Sequence, residues 1–508
     1  MTGSLAAPPN LLPAEARAVD GAWKAWIDGA WRDGAGRLEV TDPADGSTVA
    51  HVAVAGSEQV DEAVAAAVRA FESGPWPRTS PQSRASALLR LADGLRRHGE
   101  ELAVLDSRCN GMLLREAVAM ARRCAASVEY SAGLPQRAYG QTIPVSPRYV
   151  DFTMREPVGV CALILPWNGP LIQAVWKMAP AIALGNTVVI KPSELTPLSA
   201  LVLARIVDEA GVPPGVVNVV CGAGDVGAAL VAHPGVDKIA FTGSTATGKR
   251  IMAAAADRIA RVTLELGGKS PTVFFDDVDP AEAVAGAVTA LMRNCGQTCI
   301  AGSRILVQRR LYEEFVERAV AAVGTLRVGR SSDERTQIGP IVSAAQLAKV
   351  QGYVRSATVA GAQVHGAQRL DHDPFAAGTF MAPGLITGAD HQLPVSREEI
   401  FGPVGVVLPF DDEDEAVAIA NDTSYGLAAG IWTTDGKRAL RVARRIRAGT
   451  VWVNTYGWNF TEAPMGGFKQ SGLGRENGDS AIAHYTEVKN VVLDTRADQP
   501  LDQFGLLR

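Results

Sequence analysis

Cysteine is scarce and unpatterned in this chain. Six thiols, Cys109, Cys124, Cys161, Cys221, Cys295 and Cys299, are spread over 508 residues without a framework spacing. That excludes a disulfide-stapled fold and fits free thiols in a reducing compartment. Cys295 and Cys299 have neither a second cysteine pair nor a histidine close by, so no metal site is expected. No sign of charge dominates either. Lys and Arg total 49 against 54 Asp and Glu, a net charge of -5, which gives no reason to expect nucleic acid or an anionic membrane as partner. Long apolar runs are missing: the best, 158–165, is far too short to span a bilayer. Residues 1–18 lack the basic start and apolar stretch of a secretory leader, so a cytoplasmic location is expected.

What remains is ordinary globular material, 47% hydrophobic and 20% charged. The chain is too long for one core, so two or three domains are expected. Turn signals at Asp28-Gly29, Asp33-Gly34 and Asp45-Gly46 predict a small hairpin-rich opening over 23–54. Val60, Val64, Ala67, Val68 and Phe71 then set up a helical stripe behind a candidate N-cap, Ser57. Further helical stretches are expected over 82–97 and 100–130. Pro144 and Pro147 break that rhythm, and Tyr149, Val150, Phe152 and Met154 are strand formers, so 141–155 reads as an extended arm or a linker.

Beyond Pro157 continuous apolar strands (158–165, 187–190, 216–220, 238–242, 262–266) alternate with helical runs (171–183, 197–210, 226–232, 247–256). Such alternation implies a parallel sheet covered on both faces, with ligands bound beyond the carboxyl ends of the strands. A second alternating region follows from Pro271, with strands near 272–275, 305–308, 404–409 and 429–432. The fold class is α/β: two doubly wound, Rossmann-like domains.

The strand ends carry chemistry-bearing residues. Asn168 offers an amide donor for an oxyanion, and Lys191 and Glu194 offer an ammonium and a carboxylate suited to ribose hydroxyls. Two Gly-rich turns compete for a pyrophosphate. One is Gly222-Ala223-Gly224-Asp225-Val226-Gly227; the other runs from Phe241 to Gly248 and places Ser244 at a helix start. Glu265 sits in an apolar strand, where a carboxyl is raised toward neutral pH and suits general-base work. Cys299 lies in a short loop between a helical and a strand pattern, where a thiol can meet a cleft and backbone N–H donors. A lone cysteine is more often a small core residue, and these neighbours give it another reading.

Together these segments resemble the NAD(P)-dependent aldehyde dehydrogenase superfamily. The resemblance is carried by Pro166-Trp167-Asn168, Lys191-Pro192-Ser193-Glu194, Phe241-Thr242-Gly243-Ser244-Thr245, Glu265-Leu266-Gly267-Gly268-Lys269 and Gly296-Gln297-Thr298-Cys299. Glu398-Glu399-Ile400-Phe401-Gly402-Pro403, Asn454 and Pro464-Met465-Gly466-Gly467-Phe468-Lys469 complete it, in the family's order over roughly residues 20–495.

The resemblance implies Cys299 as nucleophile, Asn168 as oxyanion donor and Glu265 as the base that hydrolyses a thioester, yielding a carboxylic acid. It implies NAD as cofactor, with NADP less favoured because Glu194 would repel a 2′-phosphate. Contacts would come from Ile164, Pro166, Trp167, Lys191, Ser193, Glu194, Gly224, Phe241, Gly243, Ser244, Thr247 and Leu266, with Glu398 at the nicotinamide ribose and Phe401 at the nicotinamide end. The pyrophosphate turn is then the one at Gly243. An aldehyde would be held by Leu171, Trp176, Thr298, Ile300, Trp458 and Met465. The run Gly472-Leu473-Gly474-Arg475-Glu476 resembles the betaine-aldehyde branch, and aromatic faces would suit a quaternary ammonium. Aliphatic or aromatic aldehydes are the broader alternative, and no basic pair stands out for a carboxylate-bearing semialdehyde. Acyl transfer to coenzyme A is disfavoured by Glu265, and a non-oxidative thiol esterase is a further alternative. The implied organisation is an NAD-binding domain (1–138 and 159–266), a catalytic domain (267–480) and a small β oligomerisation arm (139–158 and 481–508) making a homodimer or homotetramer.

Overall fold

A computed structural model describes residues 22–495; the readings made on 1–18 and on the arm beyond Thr495 lie outside the described residues. The opening is hairpin-rich, as expected. β1 (Ala25–Ile27) and β2 (Ala30–Arg32) turn at Asp28 and Gly29, both at positive φ (53° and 73°), the geometry that a two-residue hairpin with right-handed twist demands. β3 (Gly36–Thr41) and β4 (Thr48–Val54) form a separate pair.

Four helices follow: α1 (Ser57–Glu72), α2 (Pro81–Arg97), α3 (Gly99–Asn110) and α4 (Leu114–Ala132). Two expectations are corrected here. The N-cap of α1 is Gly56, not Ser57, and the Gln59 side chain accepts from the Gly56 N–H at 2.8 Å. The single helix expected over 100–130 is two, broken at Gly111. That residue takes a left-handed φ of 80° and returns its N–H to Ser107 O at 2.9 Å. Because α3 and α4 pack on each other and on one core, their apolar stripes run on in sequence as though unbroken.

β5 (Thr142–Ile143) and β6 (Tyr149–Pro157) leave this body as an arm. The first main sheet then forms from β7 (Val160–Ile164), β8 (Thr187–Lys191), β9 (Val217–Val219), β10 (Lys238–Thr242) and β11 (Arg261–Glu265), all parallel. Their crossovers include α5 (Pro170–Ala183), α6 (Leu198–Glu209), α7 (Gly224–Ala232) and α8 (Thr245–Ala256). Alternation along β7 divides the packing. Cys161 and Leu163 face the α2–α6 side, whereas Val160, Ala162 and Ile164 face α1, α7 and α8. The sheet is not parallel throughout: β1 and β2 add antiparallel at one edge, and a short returning strand does so at the other. These edges are supplied by a hairpin and a chain return, which need no crossover helix, so they escape the pattern that marks parallel strands.

The second sheet comprises β12 (Pro271–Phe274), β13 (Arg304–Gln308), β14 (Gln363–Gly366), β15 (Gly384–Thr387), β16 (Val404–Phe410), β17 (Ala428–Trp432) and β18 (Thr450–Val453), in the order β14-β15-β16-β13-β12-β17-β18. Helices α9 (Pro280–Met292), α10 (Arg309–Gly324), α11 (Ala344–Val359) and the single turn α12 (Pro394–Arg397) belong to it. The returning strand is β19 (Gly472–Leu473), so the chain rejoins the first sheet before the expected boundary at 480. β20 (Thr486–Asp494) pairs antiparallel along the whole of β6, which makes the arm a three-stranded sheet rather than a linker. Among the described residues no helix is long and apolar enough to cross a membrane.

Gly111 gives a direct test of the helix break. A Cβ there would stand 2.6 Å from Pro340 Cγ on a left-handed backbone, so Gly111→Ala should destabilise the fold by about 1–2 kcal/mol. Thermal unfolding of the variant should show a melting temperature lower by a few degrees.

Candidate active site

The carboxyl ends of β7, β8, β10 and β11 open on one cleft of about 650 Å³. Its long end runs between α7 and α8. Gly224, Gly227 and Val231 line it from α7, and Ser244, Thr247, Arg250 and Ile251 from the start of α8. Ser244 is the N-cap of α8 and its hydroxyl accepts from the Thr247 N–H at 3.2 Å, so the remaining first-turn N–H groups and the helix dipole face the cleft. At the end of β8, Lys191 is buried and its ammonium lies 3.9 Å from the Glu194 carboxylate, which is itself half exposed. Both Gly-rich turns thus border the same groove. Ile164, Pro166, Trp167, Ser193, Phe241, Gly243, Leu266 and Phe401 also line it.

One expectation is corrected. Glu399, not Glu398, faces the cleft. Past α12 the backbone is extended, so consecutive side chains point to opposite sides. Glu398 turns outward to accept from the Tyr353 hydroxyl at 2.8 Å. Glu399 turns inward, accepts from the Gly268 N–H at 2.9 Å, and fills space that a Cβ at Gly267 would occupy. Phe401, held at a φ of 60°, stacks edge-on against Trp167 with ring centroids 5.1 Å apart. Its carbonyl accepts from the Gln346 side chain at 2.8 Å.

The short end of the cleft holds Cys299 and Asn168. The loop carrying Cys299 is fixed by side chains that the sequence reading passed over. Asn294 and Cys295 sit at φ 48° and 57°, and Gly296 follows at 69°, where a Cβ would meet Gly402 O at 2.1 Å. The Gln297 amide is fully buried: its Oε1 accepts from Val342 N at 2.9 Å, and its Nε2 donates to Asn294 O at 3.1 Å. Asn168 donates one amide hydrogen to Gln297 O at 2.9 Å and keeps the other free to point elsewhere. Asn294 in turn donates to Asn168 O at 3.1 Å.

Electrostatics at this end are acidic. Burial, then the carboxyls of Glu399 and Glu265, push the Cys299 thiol up to about 12, while the N–H groups of Cys299 and Ile300 act in the opposite sense. In the free protein the residue is therefore a neutral thiol. Glu265 ends β11, is buried, and has an Oε2 with no protein partner. Burial first and Glu476 second hold its carboxyl well above the usual carboxylate range, against Lys177 and Arg475. Lys177 is completely buried. It is ion-paired with Glu476 and donates to Thr242 Oγ1 at 2.6 Å, one strand across from Glu265.

Of the residues expected to hold an aldehyde, Leu171, Trp176 and Met465 are buried together in the core cluster against which Cys299 and Ile300 pack. Trp176 is anchored, its indole N–H donating to Ser127 Oγ at 3.3 Å. Thr298 is partly buried beside Cys299. Trp458 stands apart from that cluster and is 64% exposed. Among the described residues no group of acids, cysteines and histidines could hold a metal ion. No role was assigned to Lys177, Asn294, Gln297, Gln346, Lys349 or Glu399, because a polar side chain declares its partners only once the chain is folded.

Comparison with known proteins shows the family. A model of the aldehyde dehydrogenase family matches residues 31–491. DhaS of Bacillus subtilis (strain 168), an aldehyde dehydrogenase by name, is 45% identical over 477 residues, covering 93% of this chain and 96% of that protein. The crystal structure of betaine aldehyde dehydrogenase from Staphylococcus aureus in complex with NAD+ superposes with a TM-score of 0.93 at 37% identity, covering 95% of this chain and 96% of the other. The NAD+ complex of an aldehyde dehydrogenase from Bacillus cereus gives 0.92 at 43% identity, with 94% and 98% covered.

A thiol raised this far reacts through a small thiolate fraction that grows with pH. Alkylation of Cys299 by iodoacetamide in the cofactor-free protein should therefore accelerate steadily across roughly pH 7–10 with no plateau, as read by mass spectrometry of the modified peptide. A plateau near neutrality would show that the free enzyme holds a thiolate.

Proposed function

The chain belongs to the aldehyde dehydrogenase family, and on that footing we propose that it oxidises an aldehyde to the carboxylic acid with NAD+ through a covalent Cys299 thioester. The observation that carries the reading is the meeting of Cys299 and Asn168 at one end of a cleft whose other end suits a dinucleotide. Lys191 and Glu194 would hold the adenosine ribose and the α8 N-terminus the pyrophosphate, with Glu399 at the second ribose. A carboxylate at Glu194 disfavours a 2′-phosphate, which supports NAD over NADP.

The Cys299 thiol proton passes to the Glu265 carboxylate as Sγ adds to the aldehyde carbon, and the oxygen takes up negative charge between the second Asn168 N–H and the Cys299 backbone N–H. The Asn168 amide is held in advance by its bond to the Gln297 carbonyl, so little reorganisation of that donor is needed when charge appears. Bound in the cleft, NAD+ supplies the acceptor for the hydride that leaves this carbon. The thioester on Cys299 is then opened by water. Glu265, whose free Oε2 has no protein partner, takes the proton. Leu171, Trp176 and Met465 form an apolar wall beside Cys299.

The arm carries Val150, Met154, Val488, Val492 and Leu493, all exposed. An apolar sheet of this kind is covered most simply by a second copy, and we infer a homo-oligomer.

The test is NADH absorbance with NAD+ and an aldehyde panel (propanal, benzaldehyde, succinic semialdehyde, betaine aldehyde) without coenzyme A. Wild type should produce NADH and Cys299→Ala none; Asn168→Ala should lose about 10²–10³ in kcat. The raised carboxyl of Glu265 must be deprotonated to act, so kcat should climb from neutral into alkaline pH, and Glu265→Gln should be slow and lose that limb. Turnover that requires coenzyme A would sink the hydrolytic reading.

A further inference from the structure

Two arginines stand beside the loop that follows β18, and neither has a part in the chemistry above. That loop starts at the catalytic segment: the Tyr456 hydroxyl donates to Ile300 O at 2.6 Å. It ends on α4, where Thr461 Oγ1 and Ser127 Oγ share a hydrogen bond of 3.1 Å. Ser127 also receives the indole N–H of Trp176, so this stretch runs along the proposed aldehyde passage from the reacting sulfur outward. Between these anchors lie the guanidiniums. Arg293 donates to Gly457 O at 2.9 Å, and Arg123 donates to Asn459 O at 2.8 Å. Arg123 is one turn before Ser127 on the same face of α4. Arg293 opens the segment that leads to Cys299.

The pair is close enough that the charge of Arg293, after burial, lowers the basicity of Arg123. One carboxyl, Glu116, lies beside Arg293 and accepts the Asn294 N–H; burial raises it, while Arg293 and Arg115 act in the opposite sense. Arg115 adds cationic charge of its own. Each of the two arginines has five N–H donors and gives one to the loop, so both retain most of their fork. The loop is shaped for this approach. A Cβ at Gly457, whose φ is 77°, would stand 2.6 Å from Arg293 Nη1. Like charges that are partly desolvated and held together cost free energy, and an anion between them would recover it.

We propose that Arg123 and Arg293 form an anion-recognition pair on the outer part of the aldehyde passage, so that the preferred substrate is an aldehyde bearing a carboxylate at its far end. The inference rests on the aldehyde-oxidising reading and names its substrate class. It runs against the expectation of a quaternary ammonium, which the same charges repel. Among the described residues neither Trp176 nor Trp458 pairs with another aromatic ring to form a cage for such a cation.

The experiment compares kcat/KM for size-matched aldehydes: succinic semialdehyde against butanal, and 4-carboxybenzaldehyde against benzaldehyde, with betaine aldehyde as the cationic arm. Wild type should favour each carboxylate at least about tenfold, chiefly through KM, and the preference should shrink with added salt. Arg123→Gln should cut the carboxylate-to-neutral ratio about tenfold or more, and Arg123→Lys should restore part of it, keeping charge without the fork. Arginines that only staple the loop would lower both members of a pair together and leave the ratio unmoved. An unmoved ratio, or wild type that treats the pairs alike or prefers betaine aldehyde, overturns the proposal. The wild-type comparison needs no variant, so misfolding of a mutant does not leave the matter open. Failure of every aldehyde, neutral ones included, would instead remove the aldehyde-oxidising reading beneath it.

Discussion

The Gln297 carbonyl is the point on which the site depends. It accepts from the Asn168 amide at 2.9 Å and, more loosely, from Asn294 at 3.4 Å. One partner comes from the first sheet and the other from the loop that leads into the second. An oxyanion donor on one domain and a nucleophile on the other are useful only at fixed separation, since misplacement of about an ångström can cost two orders of magnitude. The consecutive left-handed residues before Gln297 are the backbone cost of turning its carbonyl that way. Two of them, Asn294 and Cys295, are not glycine. The Gln297 side chain anchors the loop to Pro340 and Val342, and so to the body of the second domain.

The same junction explains why the cleft is two-sided. The parallel strands of the first sheet leave their carboxyl ends on one line, where Pro166, Lys191, Thr242 and Leu266 emerge. The second domain contributes what lies opposite: Cys299, Gln346, Glu399 and Phe401. Gly268 is pressed so closely that a Cβ would come within 2.3 Å of Cys299 O. Close backbone approach at this seam leaves no room for a side chain, which is the physical content of the paired glycines after Glu265.

Much of this was legible in the sequence. Strands such as β8 and β10 are buried at every position and have apolar centres, Val188–Ile190 and Ile239–Phe241, so they stood out with the helices between them. Polar residues at their ends stood out for the same reason. Short edge strands did not: β14 is mostly solvent-facing, and β19 spans two residues, too few for any periodicity. Glu398 was taken for Glu399 because adjacent glutamates are alike on paper, and only the backbone conformation decides which one turns inward. The arginine pair escaped notice because Arg123 lies inside a helical run and Arg293 more than 150 residues later, and nothing in either neighbourhood says that one loop receives both.

The ionisation of the site follows from crowding three acids into one corner of the cleft. Cys299, Glu265 and Glu399 are each raised, the thiol partly by the two carboxyls. In such a cluster the protons belong to the group as a whole, and a second negative charge is much harder to create than the first. A thiolate can thus form most cheaply when a neighbouring carboxylate takes its proton; the hydride leaves from the alkoxide carbon, so that proton stays on the carboxyl until it is passed to solvent. Acylation itself removes one acid from the corner. With no thiolate able to form beside it, Glu265, once its proton has gone to solvent, accepts one from water without a competing charge on the sulfur. The residue best placed to help the nucleophile form is, for the same electrostatic reason, better placed to open the thioester once the nucleophile is spent.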